Sequence, residues 1–205
     1  DPTNPISPDD STKDPESTLP DSIPRNAFPL RSERLALRPP STTDVDALHR
    51  LSSSPGAYEG MASIPRDPDR NWAVGRLDDQ VERMASGNHL YLLACLGDAS
   101  GPVIGEVGMD VSWRHRHGGL GYILGDQHRR QGYATEMLGA LIEFAFGPLQ
   151  LHRLYADTWP ENAASASLLR KLGFTLEGRS RGAHCKEGRY LDSDRWSVLE
   201  SDART

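Results

Sequence analysis

Arg129 and Arg130 stand just ahead of Gln131 and Gly132, and an amphipathic run begins at Tyr133. That order of residue types suits the gripping of an anion. Gly132 removes side-chain bulk where the chain turns closely. The first N–H groups of the helix that follows lack intrahelical partners, and with the positive end of the helix dipole they suit a phosphate. The two guanidiniums add charged donors beside it. An ordinary loop glycine and a solvated pair of arginines would use the same residues. No GK[ST] follows a spaced glycine and the dinucleotide glycine pattern is missing, so this is no triphosphatase or dinucleotide loop. Glu136, in the first helical turn, would repel a phosphate and is expected to face away.

Several elements must hold this loop. Met137, Leu138, Leu141, Ile142 and Ala145 recur at spacings of three and four, a core-facing stripe ~20 Å long at 1.5 Å per residue. GLGYIL, residues 119–124, reads as the strand that feeds the loop. Upstream, residues 89–96 form an apolar strand. After the turn GDASGP, residues 103–111 form another, with Val103, Val107, Met109 and Val111 on one face and Glu106 and Asp110 on the other. The domain opens with a strand at 33–39, carrying Leu35 and Leu37 and stopped by Pro39 and Pro40. A helix capped by Thr42 or Thr43 follows, with Val45, Leu48 and Leu51 on one side. Residues 54–71 read as a proline-interrupted loop. A helix over 74–86 is expected to bury Leu77, Val81 and Met84. Beyond the central helix lie a strand at 152–159, a helix at 161–172 opened by Pro160 and closed by Gly173, and two closing strands with a turn at 186–188. About seven strands and four helices imply one α/β (mixed α+β) domain.

The chain has 205 residues, 37% hydrophobic and 25% charged, with a formal net charge of -6. This argues against a dedicated nucleic-acid binder. Residues 1–29 hold seven prolines and six acidic residues and read as a flexible tail, with Ile23, Phe28 and Leu30 as docking points and residues 30–202 as the domain. Cys95 and Cys185 show no metal spacing; buried thiols are expected, and one disulfide is the alternative. No metal site is expected. No apolar run reaches the length of a membrane span, and cytoplasmic residence is the default.

The sequence resembles the GNAT superfamily of acetyl-coenzyme A-dependent acyltransferases, closest to its RimJ/RimL-like branch. The likeness covers about residues 31–200. The superfamily's pyrophosphate loop, Gln/Arg-x-x-Gly-x-Gly/Ala, is matched by Arg129, Arg130, Gln131, Gly132, Tyr133 and Ala134, with Thr135 beside them. GYIL matches the splayed central strand whose open edge holds the pantetheine arm, here Tyr122, Ile123 and Leu124. PENAASASLLRKLGF matches a second segment, in which Asn162 corresponds to an asparagine that helps hold the cofactor. EGRSRGAHCKEGRYLD matches the branch's closing hairpin. The resemblance implies a mixed, mostly antiparallel, splayed seven-stranded sheet with about four flanking helices. It also implies acetyl-CoA as cofactor, released as CoA.

It further implies acetyl transfer to a primary amine, first the α-amino group of a peptide or protein. A small-molecule amine acetyltransferase and a non-catalytic CoA sensor are the alternatives. A monomer or homodimer is expected, without membrane or nucleic-acid partners. Backbone N–H groups near Ile123 and Leu124 are placed to polarise the thioester carbonyl. Two departures matter: Leu169 stands where many members carry a tyrosine near the leaving thiol, and Gly119 where relatives often have an acid. Catalytic candidates are therefore Glu106, an ionisable group on an apolar strand, with an exposed or salt-bridged carboxylate as the other reading, then Asp157, and Ser165, which also sits near the expected cofactor arm unless its hydroxyl is satisfied by its own helix carbonyl. His128 and His152 are weaker candidates for the base. Tyr122, Trp113 and Trp159 are candidates for the substrate channel, with packing as the other reading.

Overall fold

A computed structural model describes residues 19–203; most of the expected tail, residues 1–18, lies outside them. The chain order is β1 (Leu30–Arg31), β2 (Leu35–Arg38), α1 (Val45–Ser52), α2 (Pro55–Gly60), α3 (Arg70–Ala85), β3 (His89–Leu96), β4 (Val103–Ser112), β5 (His117–Leu124), α4 (Tyr133–Phe146), β6 (Arg153–Thr158), α5 (Ala163–Lys171), β7 (Thr175–Lys186), β8 (Arg189–Leu199) and α6 (Glu200–Ala203). One eight-stranded sheet runs β1-β2-β3-β4-β5-β6-β8-β7. Every neighbouring pair is antiparallel except β5 and β6. The mixed, mostly antiparallel architecture agrees with expectation. The strand count rises from seven to eight because the two-residue β1 pairs with β2.

The sheet separates two apolar layers. On one face α4 lays Met137, Leu138, Leu141, Phe144 and Ala145 against Leu90, Leu92, Val107, Met109, Leu120, Leu124, Leu154 and Trp196. Each of these core residues is at most 8% exposed, and burying a side chain of this size contributes about 1.5–3 kcal/mol. Ile23, Phe28 and Leu30 pack onto this layer, and Phe28 meets the Phe144 ring edge-on at 5.6 Å. On the other face α1 and α3 close over Tyr91 and Leu93.

Several local readings need correction. A bulge between Ala94 and Cys95 makes Cys95 pair with Val103. Val103 therefore packs on the α1/α3 side while Ile104 joins the α4 side, since one extra residue reverses side-chain alternation. Ser41 rather than Thr42 or Thr43 caps the first helical turn, forming a capping box with Asp44. α3 starts at Arg70, four residues earlier than read, because Asp69 accepts from Trp72 N at 2.7 Å. Its buried positions are Ala73, Leu77 and Gln80, and Val81 is 49% exposed. Residues 55–60 form α2 instead of loop, with Pro55 at the first helical turn, where its missing N–H costs nothing. Cys185 is exposed, Cys95 is buried, and both are free. Among the described residues no helix is long and apolar enough to cross a membrane.

Candidate active site

The site begins where the sheet opens. β5 pairs with β4 along its whole length, but with β6 only from His117 to Leu120. Residues 121–124 therefore have a free edge on the β6 side. At the end of the β4 ladder Gly125 N donates to Ile104 O at 2.9 Å. By strand alternation Ile123 also turns its backbone groups to β4, so those of Tyr122 and Leu124 face the gap. This narrows the expected donors: Ile123 contributes its side chain, packed with Ala57 and Ile64, and not its N–H.

The loop after β5 passes through a 3-10 turn at Asp126–His128, takes positive φ at Arg130 (60°) and Gly132 (86°), and enters α4. Only a residue free of Cβ strain adopts the latter readily; a Cβ there would also lie 3.2 Å from Arg34 Nη2. Gly132 offers no side-chain cap to α4, which leaves the N–H groups of Tyr133, Ala134 and Thr135 as the orphan donors of the first turn. Arg130 and Gln131 are exposed, and Gln131 Nε2 donates to Gln127 O. Arg129 is already engaged: it pairs with Asp126 at 2.9 Å and packs so closely on Gly56 that a Cβ there would meet its guanidinium at 2.0 Å. Glu136 points away from the loop, accepting from Ser32 Oγ and from Arg34 N and Nε. Burial opposes its ionisation, but these donors hold the carboxyl below its usual range.

Across the gap stands α5. Asn162 caps it, its Oδ1 accepting from Ser165 N at 3.0 Å. A Cβ on Gly60 would lie 4.0 Å from Asn162 Nδ2, so α2 approaches this cap. Tyr122 sends its hydroxyl to the same side. Burial pushes that phenol up from its ordinary value, with the nearby Ser165 side chain opposing, but no group meets the oxygen with hydrogen-bonding geometry. Leu169 is fully buried in the main core, and Gly119 is bare because a Cβ there would strike the Tyr155 ring at 2.7 Å. His128 lies against Tyr133, and His152 sits exposed ahead of β6. Trp113 packs on the main core and donates to Gly87 O, while Trp159 meets His184 edge-on.

The opposite face of the sheet holds a cleft of about 690 Å³ containing Glu106 and Asp157. Glu106 is 2% exposed and both its oxygens are taken, Oε1 by Arg76 at 2.5 Å and Oε2 by the Tyr91 hydroxyl. Burial and the charge of Glu106 push the Tyr91 phenol up, so it stays a donor. Asp157 accepts two hydrogen bonds from Arg195, at 2.9 and 2.7 Å. Asp110 meets Arg83 and His89, each at 2.7 Å. The two faces divide the expected residues. Tyr122, Asn162 and Ser165 gather on the α5 side; Glu106 and Asp157 stand together on the other. Arg76 and Tyr91 escaped notice in the sequence. The one available signal was the spacing of Trp72, Arg76 and Gln80, a polar and aromatic stripe four residues apart.

The sequence matches the family described as Acetyltransferase (GNAT) domain over residues 34–175. The chain belongs to the GNAT acetyltransferase family. It is 29% identical over 175 residues to the uncharacterized N-acetyltransferase p20 of Bacillus licheniformis, covering 84% of this chain and 97% of that one. It is 24% identical over 163 residues to the L-amino acid N-acetyltransferase AaaT of Escherichia coli, covering 78% and 94%. The fold is shared with RimL, a ribosomal alpha-N-protein acetyltransferase solved with coenzyme A. That match has 21% identity and a TM-score of 0.75, and covers 86% of this chain and 98% of RimL.

This GNAT chain is thus an acetyl-CoA-dependent N-acetyltransferase. The cofactor supplies a thioester-activated acetyl group. Three observations fit it: an uncapped helix N-terminus behind a positive-φ glycine, a strand edge free over residues 121–124, and the orphaned Tyr122 hydroxyl beside the gap.

Proposed function

We propose that the enzyme acetylates the α-amino group of a peptide or protein. On this reading Arg130, Gln131 and the N–H groups of Tyr133, Ala134 and Thr135 take the cofactor's pyrophosphate. Arg129 braces the loop through Asp126. Tyr122, Leu124, Asn162 and Ser165 hold the pantetheine arm, as a sheet edge holds an added strand. The acceptor enters from the Glu106 cleft. Glu106 pairs with Ile123 across the β4–β5 ladder, and Asp157 lies one residue beyond the last β5–β6 pair, Leu120 and Ala156. Two carboxylates thus flank the opening, placed to take up the proton that the amine sheds.

The observation that carries the substrate class is the state of the cleft's charges. Of the four carboxylates that line the cleft among the described residues, Glu106, Asp110 and Asp157 are each paired with an arginine, and only Asp79, which accepts from Gln80, is left without one, so the cleft is no trap for a polycation. It suits a single amine at the end of a chain. An α-amine, with a reference pKa near 8, is also neutral more often at neutral pH than a lysine. The fold shared with RimL stands in support. The test offers the purified protein acetyl-CoA with peptides bearing free N-termini, with N-terminally blocked lysine peptides, with free amino acids and with polyamines. Thiol release and gain of one acetyl group are read. Acetylation of the free N-terminal peptides alone is expected. Turnover confined to lysine peptides, free amino acids or polyamines overturns the reading.

A further inference from the structure

The geometry points to Lys186 as a positioning residue of the acceptor site, acting by holding Met61 over the open edge of β5. This rests on the reading that the acceptor enters from the Glu106 cleft. Lys186 ends β7, at the turn of the long β7–β8 hairpin. Its ammonium donates to Tyr58 O and, at 2.7 Å, to Met61 O, and lies 3.8 Å from the Tyr58 ring centroid. Those carbonyls belong to the last turn of α2 and the residue after it. The final carbonyls of a helix lack partners and carry the negative end of its dipole, so a cation there satisfies both needs. The neighbouring contacts join the same two segments. Tyr58 donates to Glu187 Oε2 at 3.0 Å and accepts from Arg66 at 3.1 Å, and Arg66 reaches Glu187 at 3.7 Å.

What Lys186 fixes lies directly over the gap. Met61 lines the cleft, and a Cβ on Gly121 would lie 3.7 Å from Met61 Cε. Gly121 is the first β5 residue beyond the pairing with β6. The Met61 side chain, over the bare backbone of Gly121, therefore stands at the boundary between the acceptor cleft and the open strand edge. α2 also touches the other parts of the site, through Gly56 on Arg129 and Gly60 near Asn162. Without the hairpin's hold, α2 would keep its contacts at Gly56 while its C-terminal end and Met61 lost their tether. Met61 has a flexible thioether side chain that fills gaps of irregular shape, so its backbone position sets how wide an amine passes.

The test compares Lys186→Met, which keeps the stem and removes the charge, with Lys186→Arg and Met61→Ala. Steady-state constants are read with peptides whose N-terminal residue is Ser, Ala or Trp. Acetyl-CoA affinity is read by calorimetry, and hydrogen exchange is followed over residues 55–66. Losing the ammonium and its two charge-assisted hydrogen bonds predicts an acceptor KM raised about tenfold in Lys186→Met, with kcat and acetyl-CoA affinity changed less than about twofold. Exchange over 55–66 should quicken, and Lys186→Arg should recover most of the KM. Met61→Ala should favour the Trp peptide over the Ser peptide. Unchanged exchange and KM in Lys186→Met overturn the proposal. So does a loss of acetyl-CoA affinity parallel to the KM change that Lys186→Arg fails to rescue, since that marks general damage. Hydrogen exchange needs no acceptor. If wild-type enzyme acetylates only a small amine, the peptide reading fails, and the same KM comparison on that amine still decides the role of Lys186.

Discussion

Tyr122 and Glu106 pose opposite problems to the folded chain. The Tyr122 hydroxyl is buried and unpaired, which costs the free protein about 1–3 kcal/mol of desolvation. Tyr122→Phe should therefore leave thermal stability unchanged or raise it, while acetyl-CoA affinity falls severalfold. A drop in both, or an unaltered affinity, would remove the hydroxyl from the cofactor site. Glu106 is the reverse case, a buried carboxylate with every oxygen occupied. Glu106→Gln strands the Arg76 guanidinium, which is only 11% exposed, and should cost about 3 kcal/mol. Replacing both partners, Arg76→Met with Glu106→Leu, should recover most of that in urea unfolding. Activity lost in Glu106→Gln alone thus reports folding as well as proton transfer. That Glu106 stands apart on its strand was legible, because an ionisable residue interrupts an apolar run. Its partners were not, since Tyr91 and Arg76 come from other elements and their positions depend on tertiary packing.

At the scale of elements, the periodic segments declared themselves and the short ones did not. The stripe of α4 and the strands around Gly105 and Gly121 carry enough repeats to fix their type and inner face. α2 has six residues, too few for periodicity, and its contacts are with segments distant in sequence, Ala57 with Ile123 and Tyr58 with the hairpin. The bulge at Ala94/Cys95 left no mark either, since apolar residues flank it on both faces. α5 lies between these cases. Asn162 was read for the cofactor, and it also caps the helix through Ser165 N. The two roles separate by substitution. Asn162→Ala should lose about 1 kcal/mol in urea unfolding, and Asn162→Ser should regain most of it because serine caps as well. Acetyl-CoA affinity should stay weakened in both. If Asn162→Ser restores affinity with stability, the cap alone accounts for the residue.

Across the whole molecule, arginine-paired carboxylates set the response to acid. Arg153 and Ser197 hydrogen bonds hold the Glu177 carboxyl down to about 2. Arg179 holds Asp194 low, and His89 with Arg83 holds Asp110 low against its burial. For Asp44, burial opposes ionisation, yet Arg38 and Ser41 still lower it. Each group binds its proton more readily in the unfolded chain. The stability they contribute is full above the unfolded carboxyl range, near pH 4, and is lost as pH falls towards 2. Urea midpoints should drop steadily between those values. Added salt should shrink part of the effect, because one member of each pair, Glu177 and Arg179, is exposed. A flat profile would show that these pairs do not bear on folding.

The sheet itself consists of two antiparallel blocks, β1 to β5 and β6 to β8, and only four residue pairs join them, His117–Leu120 with Arg153–Ala156. Where that seam ends, no strand of the described residues continues it. On the proposed reading, a pantetheine arm lying there would continue the hydrogen bonding that β6 abandons. The cofactor would in this sense be a borrowed strand, completing the architecture at the start of each turnover and leaving it open again when coenzyme A departs.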